Sequence, residues 1–410
     1  MNQDIKKTRT TDATITILKA DHTPLANQEV TIEQTNHKFL FGTAAFDLVP
    51  LASGKYTGEA KEQAEQRAEN VNALFNAATL PFYWAGFEPQ HGTPITEKVK
   101  NAARWCLDHN MVTKGHPLCW HTLTADWLLL MNTSEVLQAQ IARIQRDVSD
   151  FRGLIDMWDV INEAVIMPVF NKYDNGITRL CRELGRIQMI KTMFETARET
   201  NPAATFLIND FDVSSAYDIL IEGCLEAGIK FDVIGIQSHM HQGWWGVEKT
   251  LKVLENFERF NLPIHFTEST LVSGDLMPPE IVDLNDYQVT DWPTTSEGEE
   301  RQARETVQHY QALFAHPLVE GITWWDSLDG GWLNAPAGLI RKDGSLKPAY
   351  TELMKLIKGE WWLTPTPFFT DEKGQIHLNC FLGEYKLTFG TLQESFQVTK
   401  DCSPVITVPG

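Results

Sequence analysis

The chain has 410 residues, 43% hydrophobic and 22% charged, too apolar for a disordered polymer and long enough for a large α/β barrel with an appendage. Its 35 Lys and Arg against 54 Asp and Glu leave a formal charge of −19, which disfavours nucleic acid and anionic membrane surfaces as partners. No apolar run approaches the ~18–20 residues of a membrane helix, and the opening MNQDIKKTRTTDATITI holds no apolar leader segment.

The compartment therefore stays open between cytoplasm and secretion with a trimmed leader. Six cysteines (106, 119, 181, 224, 380 and 402) are scattered without any C-x-x-C, which argues against a zinc knuckle or a disulfide scaffold. Buried thiols are expected, with a Cys380–Cys402 bridge left open. Trp is frequent, 13 in all, and its flat apolar face suits both a core and the C–H face of a sugar ring.

In chain order, residues 12–36 alternate apolar and polar (Ala13, Ile15, Ile17, then Val30, Ile32) and break at Asp21–Pro24. They read as a short hairpin. Eight apolar runs follow: Phe39–Ala44, Ala73–Leu80, Val112–Trp120, Met157–Glu163, Thr205–Asp210, Val233–His239, Ile264–Glu268 and Gly321–Asp326. Helical patterns separate them, at Gly58–Asn72, Val136–Asp150, Arg179–Thr200, Val247–Asn261 and Glu299–Ala315. Strand–helix alternation repeated eight times predicts an α/β fold, a (β/α)8 TIM barrel. No Gly-rich phosphate loop follows the first run. Residues 361–400 alternate again, with turns at Asp371–Gly374 and Leu382–Gly383. Neither end has enough strands to stand alone. The expected organisation is a barrel over 39–358, with segments 1–38 and 359–410 pairing into one small β-sandwich.

Barrel enzymes carry their chemistry at the C-terminal ends of the strands. The third run ends in His116, Trp120 and His121, and the fourth in Asn162 and Glu163. The fifth ends in Asn209 and Asp210, the sixth in Gln237 and His239, and the seventh in Glu268. The eighth leads into Trp325, Asp326, Asp329 and Trp332. Unpaired buried carboxylates cost several kcal/mol, so solvated strand ends explain one or two such positions but not all. Glu163 and Glu268 lie three strands apart and can face each other across the mouth. Two opposed carboxylates, one protonated and one ionised, are what glycoside hydrolysis requires. A metal centre on His239 and His241, joined by His116 or His121, is the competing reading; the pair ends the sixth run rather than the first, and no metal or other cofactor is expected.

WDVINEA, GHPLCWH, IGIQSHMH, PIHFTES and GLIRKDGSLKPAY, in this order, resemble glycoside hydrolase family 10, the endo-β-1,4-xylanases, over roughly residues 39–357. The resemblance implies Glu163 as acid/base and Glu268 as nucleophile of a retaining double displacement. It implies Asn162 and Gln237 on the sugar, His239 on Glu268, and His116 and Trp120 lining the −1 subsite. Trp325 and Trp332 would form its aromatic wall, with His121 and Asp210 in support. One departure is plain. Where the family carries T-x-E-N-x-M-K-W, this chain reads Thr79-Leu-Pro-Phe-Tyr-Trp84, without the polar groups that bind sugar at −2. Phe82, Tyr83 and Trp84 are expected to close that side or to stack on a different sugar. The acidic stretch Leu271–Glu300 is expected either to shape the leaving-group side or to form a peripheral flap.

The expected function is endo-β-1,4-xylanase, a monomer acting on polysaccharide or oligosaccharide. The alternative is a retaining β-glycosidase for short or decorated xylo-oligosaccharides or aryl β-glycosides. A barrel that binds carbohydrate without catalysis is the third reading.

Overall fold

A computed structural model describes residues 3–400 and 403–408; Cys402, and with it any Cys380–Cys402 bridge, lies outside them. The strands run β1 (Thr10–Lys19), β2 (Glu29–His37), β3 (Leu40–Ala44), β4 (Ala77–Pro81), β5 (Val112–His116), β6 (Met157–Asn162), β7 (Thr205–Asp210), β8 (Val233–Met240), β9 (Ile264–Leu271) and β10 (Val319–Trp324). Beyond the last barrel helix come β11 (Thr366–Phe369), β12 (Gln375–Phe381), β13 (Gly383–Phe389), β14 (Leu392–Val398) and β15 (Val405–Val408). Strands β3 to β10 close an eight-stranded parallel barrel, with β10 pairing back onto β3. Near-continuous apolar runs with helices between them leave both faces of such a sheet covered, as parallel pairing demands.

The chain ends form two further sheets, β12–β1–β15 and β11–β2–β13–β14. Between them Ala13, Ile15 and Ile17 of β1 meet Val30, Ile32, Tyr385, Leu387 and Val398 in a separate apolar core. The expected hairpin is therefore wrong: β1 pairs with β12 and β15, while β2 pairs with β11 and β13. Each strand does bury one face, but the two faces approach from opposite sheets. The Asp21–Pro24 turn folds back on β1 only as far as a single bridge, Leu18 to Pro24, before the chain crosses to the other sheet.

Three boundaries also move. Ala73 and Leu74 end the helix Gly58–Leu74, and Asn76 then starts the barrel turn by accepting from Phe41 N at 2.8 Å and donating to the carbonyl oxygens of His37 and Phe39. β5 stops at His116 because Pro117 has no N–H to extend the ladder. The expected single helix Arg179–Thr200 is two, Gly176–Leu184 and Arg186–Thr200, broken at Gly185, whose φ of 81° suits glycine. The break aims Arg186 at the carbonyl oxygens of Ala164 (2.9 Å) and Val165 (2.7 Å), directly after Glu163.

Candidate active site

The strand ends open onto one mouth, and local irregularities aim the side chains into it. In β9 the pairing with β8 steps from Ile236↔Phe266 to Gln237↔Glu268, so Thr267 is an extra residue. A bulge of this kind re-aims the next side chain. Glu268 thus sits three residues before the end of β9 rather than at its last position. Glu163 follows β6 with φ of 57°, a left-handed conformation uncommon outside glycine, held by its own N–H donating to Asn209 O at 2.8 Å.

Glu268 is buried and both its oxygens are occupied. Asn209 Nδ2 donates to Oε1 at 2.8 Å, and His239 Nε2 lies 3.0 Å from Oε2. His116 Nε2 stands 3.9 Å from Oε1. Burial alone would raise this carboxyl, but His116, His239 and Lys114 outweigh it and hold Glu268 below the usual carboxylate range. Behind His116, Asp159 lies 2.7 Å from its Nδ1 and 2.7 Å from Lys114 Nζ. Burial opposes ionisation of Asp159 too, and the same two neighbours keep it low.

Glu163 is placed oppositely. Burial pushes its carboxyl up to about 8; the Trp120 indole and Gln237 amide pull against that, and the charges of Asp210 and Glu268 add to it. His121 Nε2 is 3.9 Å from Glu163 Oε2, and burial lowers this imidazole to about 4. Asn162 Nδ2 and Gln237 Nε2 lie 3.3 and 3.4 Å from Glu163 Oε1. Asn162 Oδ1 accepts from Asn209 at 2.8 Å and from Gln237 at 3.0 Å, so one amide network joins the two carboxylates. Asn209 fits because Gly235 faces it: a Cβ there would lie 2.5 Å from Asn209 Oδ1.

The aromatic residues sort into wall and core. Trp325 packs edge-on to His116 at 5.2 Å and to His239 at 6.0 Å, and Trp332 lies 4.6 Å from His239. Trp120 contacts Tyr83 at 5.6 Å and His116 at 6.4 Å. Asp210 touches backbone, accepting from Val165 N at 3.0 Å and Asp212 N at 3.0 Å, with burial raising it to about 7. In the segment Thr79–Trp84, Tyr83 reaches the mouth, between Phe46, His116 and Trp120. Phe82 and Trp84 do not close the cleft. Phe82 is fully buried against Phe87, Phe151 and Trp158, and Trp84 lies under the Arg143 guanidinium.

Sequence reasoning placed Asn209 at a strand end without foreseeing its bond to Glu268, and missed Lys114, Asp159 and the arginines that hold the loops. Arg143 donates to the carbonyl oxygens of Leu118 (2.7 Å), Pro117 (3.2 Å) and Phe82, fixing the loops that carry Tyr83 and Trp120. A signal existed: Arg143 and Asp147 fall on the apolar stripe of helix Thr133–Asp150, where a charge needs a partner. The stretch after β9 is no peripheral flap. Trp292 is buried with Val272, Met277, Ala335 and Ala337, and Asn285 accepts from Trp332 Nε1 at 3.2 Å.

Glycosyl hydrolase family 10 matches residues 44–356. "Anti-sigma-I factor RsgI6" of Acetivibrio thermocellus is 24% identical over 94% of this chain and 46% of its own length. "Endo-1,4-beta-xylanase 1" of Arabidopsis thaliana is 22% identical over 100% of this chain and 40% of its own. The chain thus spans less than half the length of these two relatives. The solved structure of xylanase 10B from Thermotoga petrophila in complex with xylobiose superposes with a TM-score of 0.63 at 21% identity, covering 79% of this chain and 95% of that one; at that identity it speaks to the fold.

Proposed function

The chain belongs to glycosyl hydrolase family 10, and on that premise we propose that it hydrolyses β-1,4-xylosidic bonds with retention, Glu163 serving as acid/base and Glu268 as nucleophile. The observation that carries the reading is the opposed state of two carboxyls in one network: Glu163 pushed up to about 8 and Glu268 held low. Such divergence is how one site supplies an acid and a nucleophile at the same pH. Glu163 gives its proton to the glycosidic oxygen as that bond to the anomeric carbon breaks, and Glu268 forms the glycosyl ester. Glu163, now ionised, takes a proton from water, which attacks the anomeric carbon and expels Glu268. Two inversions leave the configuration unchanged.

In this reading Asn209 and His239 hold the two oxygens of Glu268, and the Asn162 amide faces the sugar 2-OH, a contact that strengthens in the oxocarbenium-like transition state. Trp325 and Trp332 offer apolar faces to the ring. Product analysis on linear β-1,4-xylan, xylo-oligosaccharides, an aryl β-xyloside and an aryl β-glucoside tests the reading. Mixed short β-anomeric products from xylan support it. Release confined to aryl glycosides would shift it to the second reading, a β-glycosidase for short or decorated chains, which Tyr83 in place of polar sugar-binding groups favours.

A further inference from the structure

The carboxylate pair is linked a second time, over the top of the mouth. From Glu163 the contacts run through His121 to Phe170, whose ring lies 4.5 Å from that imidazole, in the loop after β6. Two residues on, Lys172 Nζ sits 2.6 Å from Asp283 Oδ2 and 2.6 Å from Asp286 Oδ1, in the loop after β9. Between those aspartates Asn285 bonds Trp332, which packs on His239, which holds Glu268. Three loops, after β6, β9 and β10, are thus tied into one bridge spanning the barrel from one carboxylate to the other.

The bridge is well anchored on its own side of the cleft, and across the cleft it is held by an exposed ion pair. Gln242 Nε2 donates to the carbonyl oxygens of Pro278 (2.9 Å) and Ile281 (2.8 Å), and Trp292 is buried with its Nε1 donating to Asp275 O at 2.8 Å. The tip carries Val282, 99% exposed, and its tie to the opposite loop is the half-exposed Lys172 pair. An acid must stand beside the leaving oxygen, so the leaving group departs past the loop that follows Glu163, the loop to which the tip is latched.

We propose that segment 272–295 is a strap roofing the leaving-group half of the cleft, and that Lys172 sets the preference for short leaving groups over polymer by latching it. The inference rests on the xylosidic reading above. A short chain enters with the latch closed. A long chain continuing past the cleavage point displaces the tip.

Exposed ion pairs hold weakly, so removing this one changes the open fraction by about fivefold rather than by orders of magnitude. The test is Lys172→Ala, assayed as kcat/KM on xylan and on an aryl β-xylobioside, with Asp283→Asn/Asp286→Asn as an independent second variant. Expected is an about fivefold rise on xylan in both variants, with the aryl substrate within about twofold of the wild type. Raising salt to 0.5 M should lift the wild-type polymer rate and leave the variants unmoved, since screening acts on the same pair. A lower melting temperature with an unchanged polymer-to-aryl ratio overturns the strap alone. Absence of hydrolysis of every xylose-based substrate by all three proteins overturns the substrate reading and the strap with it.

Discussion

Glu163 holds its proton to about pH 8 in the folded chain, against an ordinary value of 4.5. Between those values the folded state keeps a proton that the unfolded state releases, so stability falls as pH rises through this window. Glu163→Gln preserves shape and removes the titration. Its melting temperature should match the wild type near pH 4 and exceed it by a margin that grows toward pH 8, as thermal scans across that range will read. Activity has the opposite partner at each edge: turnover should drop above about 8 as the acid ionises, and at low pH as Glu268 takes a proton. Glu268→Ala should lose turnover by about 10³-fold or more with the fold intact, checked by circular dichroism beside the assay. Glu163→Ala should lose nearly all action on xylan but keep glycosylation by aryl glycosides with good leaving groups, which need no proton; equal losses on both substrates would remove the acid/base role. These two residues were legible because a carboxylate ending an apolar run has no packing reason to be there. Lys114 and Asp159 were not, since inside a strand nothing marks which polar residue faces the barrel interior.

At the scale of elements, the alternation of apolar runs and helical stretches was enough for eight barrel strands, because period and length are local properties. Partnership is not local, which is why β1 and β2 read as a hairpin. Both alternate, and alternation states which face is buried but not which strand lies alongside. The motif GLIRKDGSLKPAY was recognised by resemblance, and several of its side chains hold elements together, Arg341 on Glu299 of helix Ser296–Ala315 and Lys347 among them. Lys347, fully buried just before helix Pro348–Lys355, places Nζ 2.5 Å from Asp329 Oδ1 and 2.7 Å from Ser273 Oγ, pinning the loops after β10 and β9 to each other. Burial lowers this ammonium and raises Asp329, and each charge offsets the other's desolvation. Lys347→Met strands the aspartate and should cost about 3–5 kcal/mol, seen as a lower urea midpoint at unchanged slope. Adding Asp329→Leu should recover most of the loss; if the double variant is no better than the single, the pair is not what Lys347 contributes.

At the scale of the molecule, both chain ends return to the floor of the barrel, opposite the mouth. The seam is aromatic: Phe39 and Phe314 meet edge-on at 4.9 Å, Trp361 stacks on Phe314 at 4.4 Å, and Phe381 lies 6.2 Å from Phe314. Arg9 stitches it. Its guanidinium donates to the carbonyl oxygens of Phe314 (2.7 Å), His316 (2.7 Å) and Val319 (2.5 Å), and it lies 4.6 Å over the Phe39 ring. Burial lowers this group to about 10, with Glu320 opposing, so it stays charged throughout the neutral range. Three carbonyls at the barrel floor are therefore bonded by one side chain that precedes β1. Because β1 is sandwiched between β12 and β15, loosening Arg9 frees strands from both ends of the chain at once. We expect the wild type to unfold in one calorimetric transition, with sandwich and barrel coupled through this seam. Arg9→Ala should cost about 2–4 kcal/mol and split a low-temperature shoulder from the main peak, leaving aryl glycoside turnover unchanged below that shoulder. A single transition displaced as a whole would mean that the aromatic contacts alone couple the sandwich to the barrel.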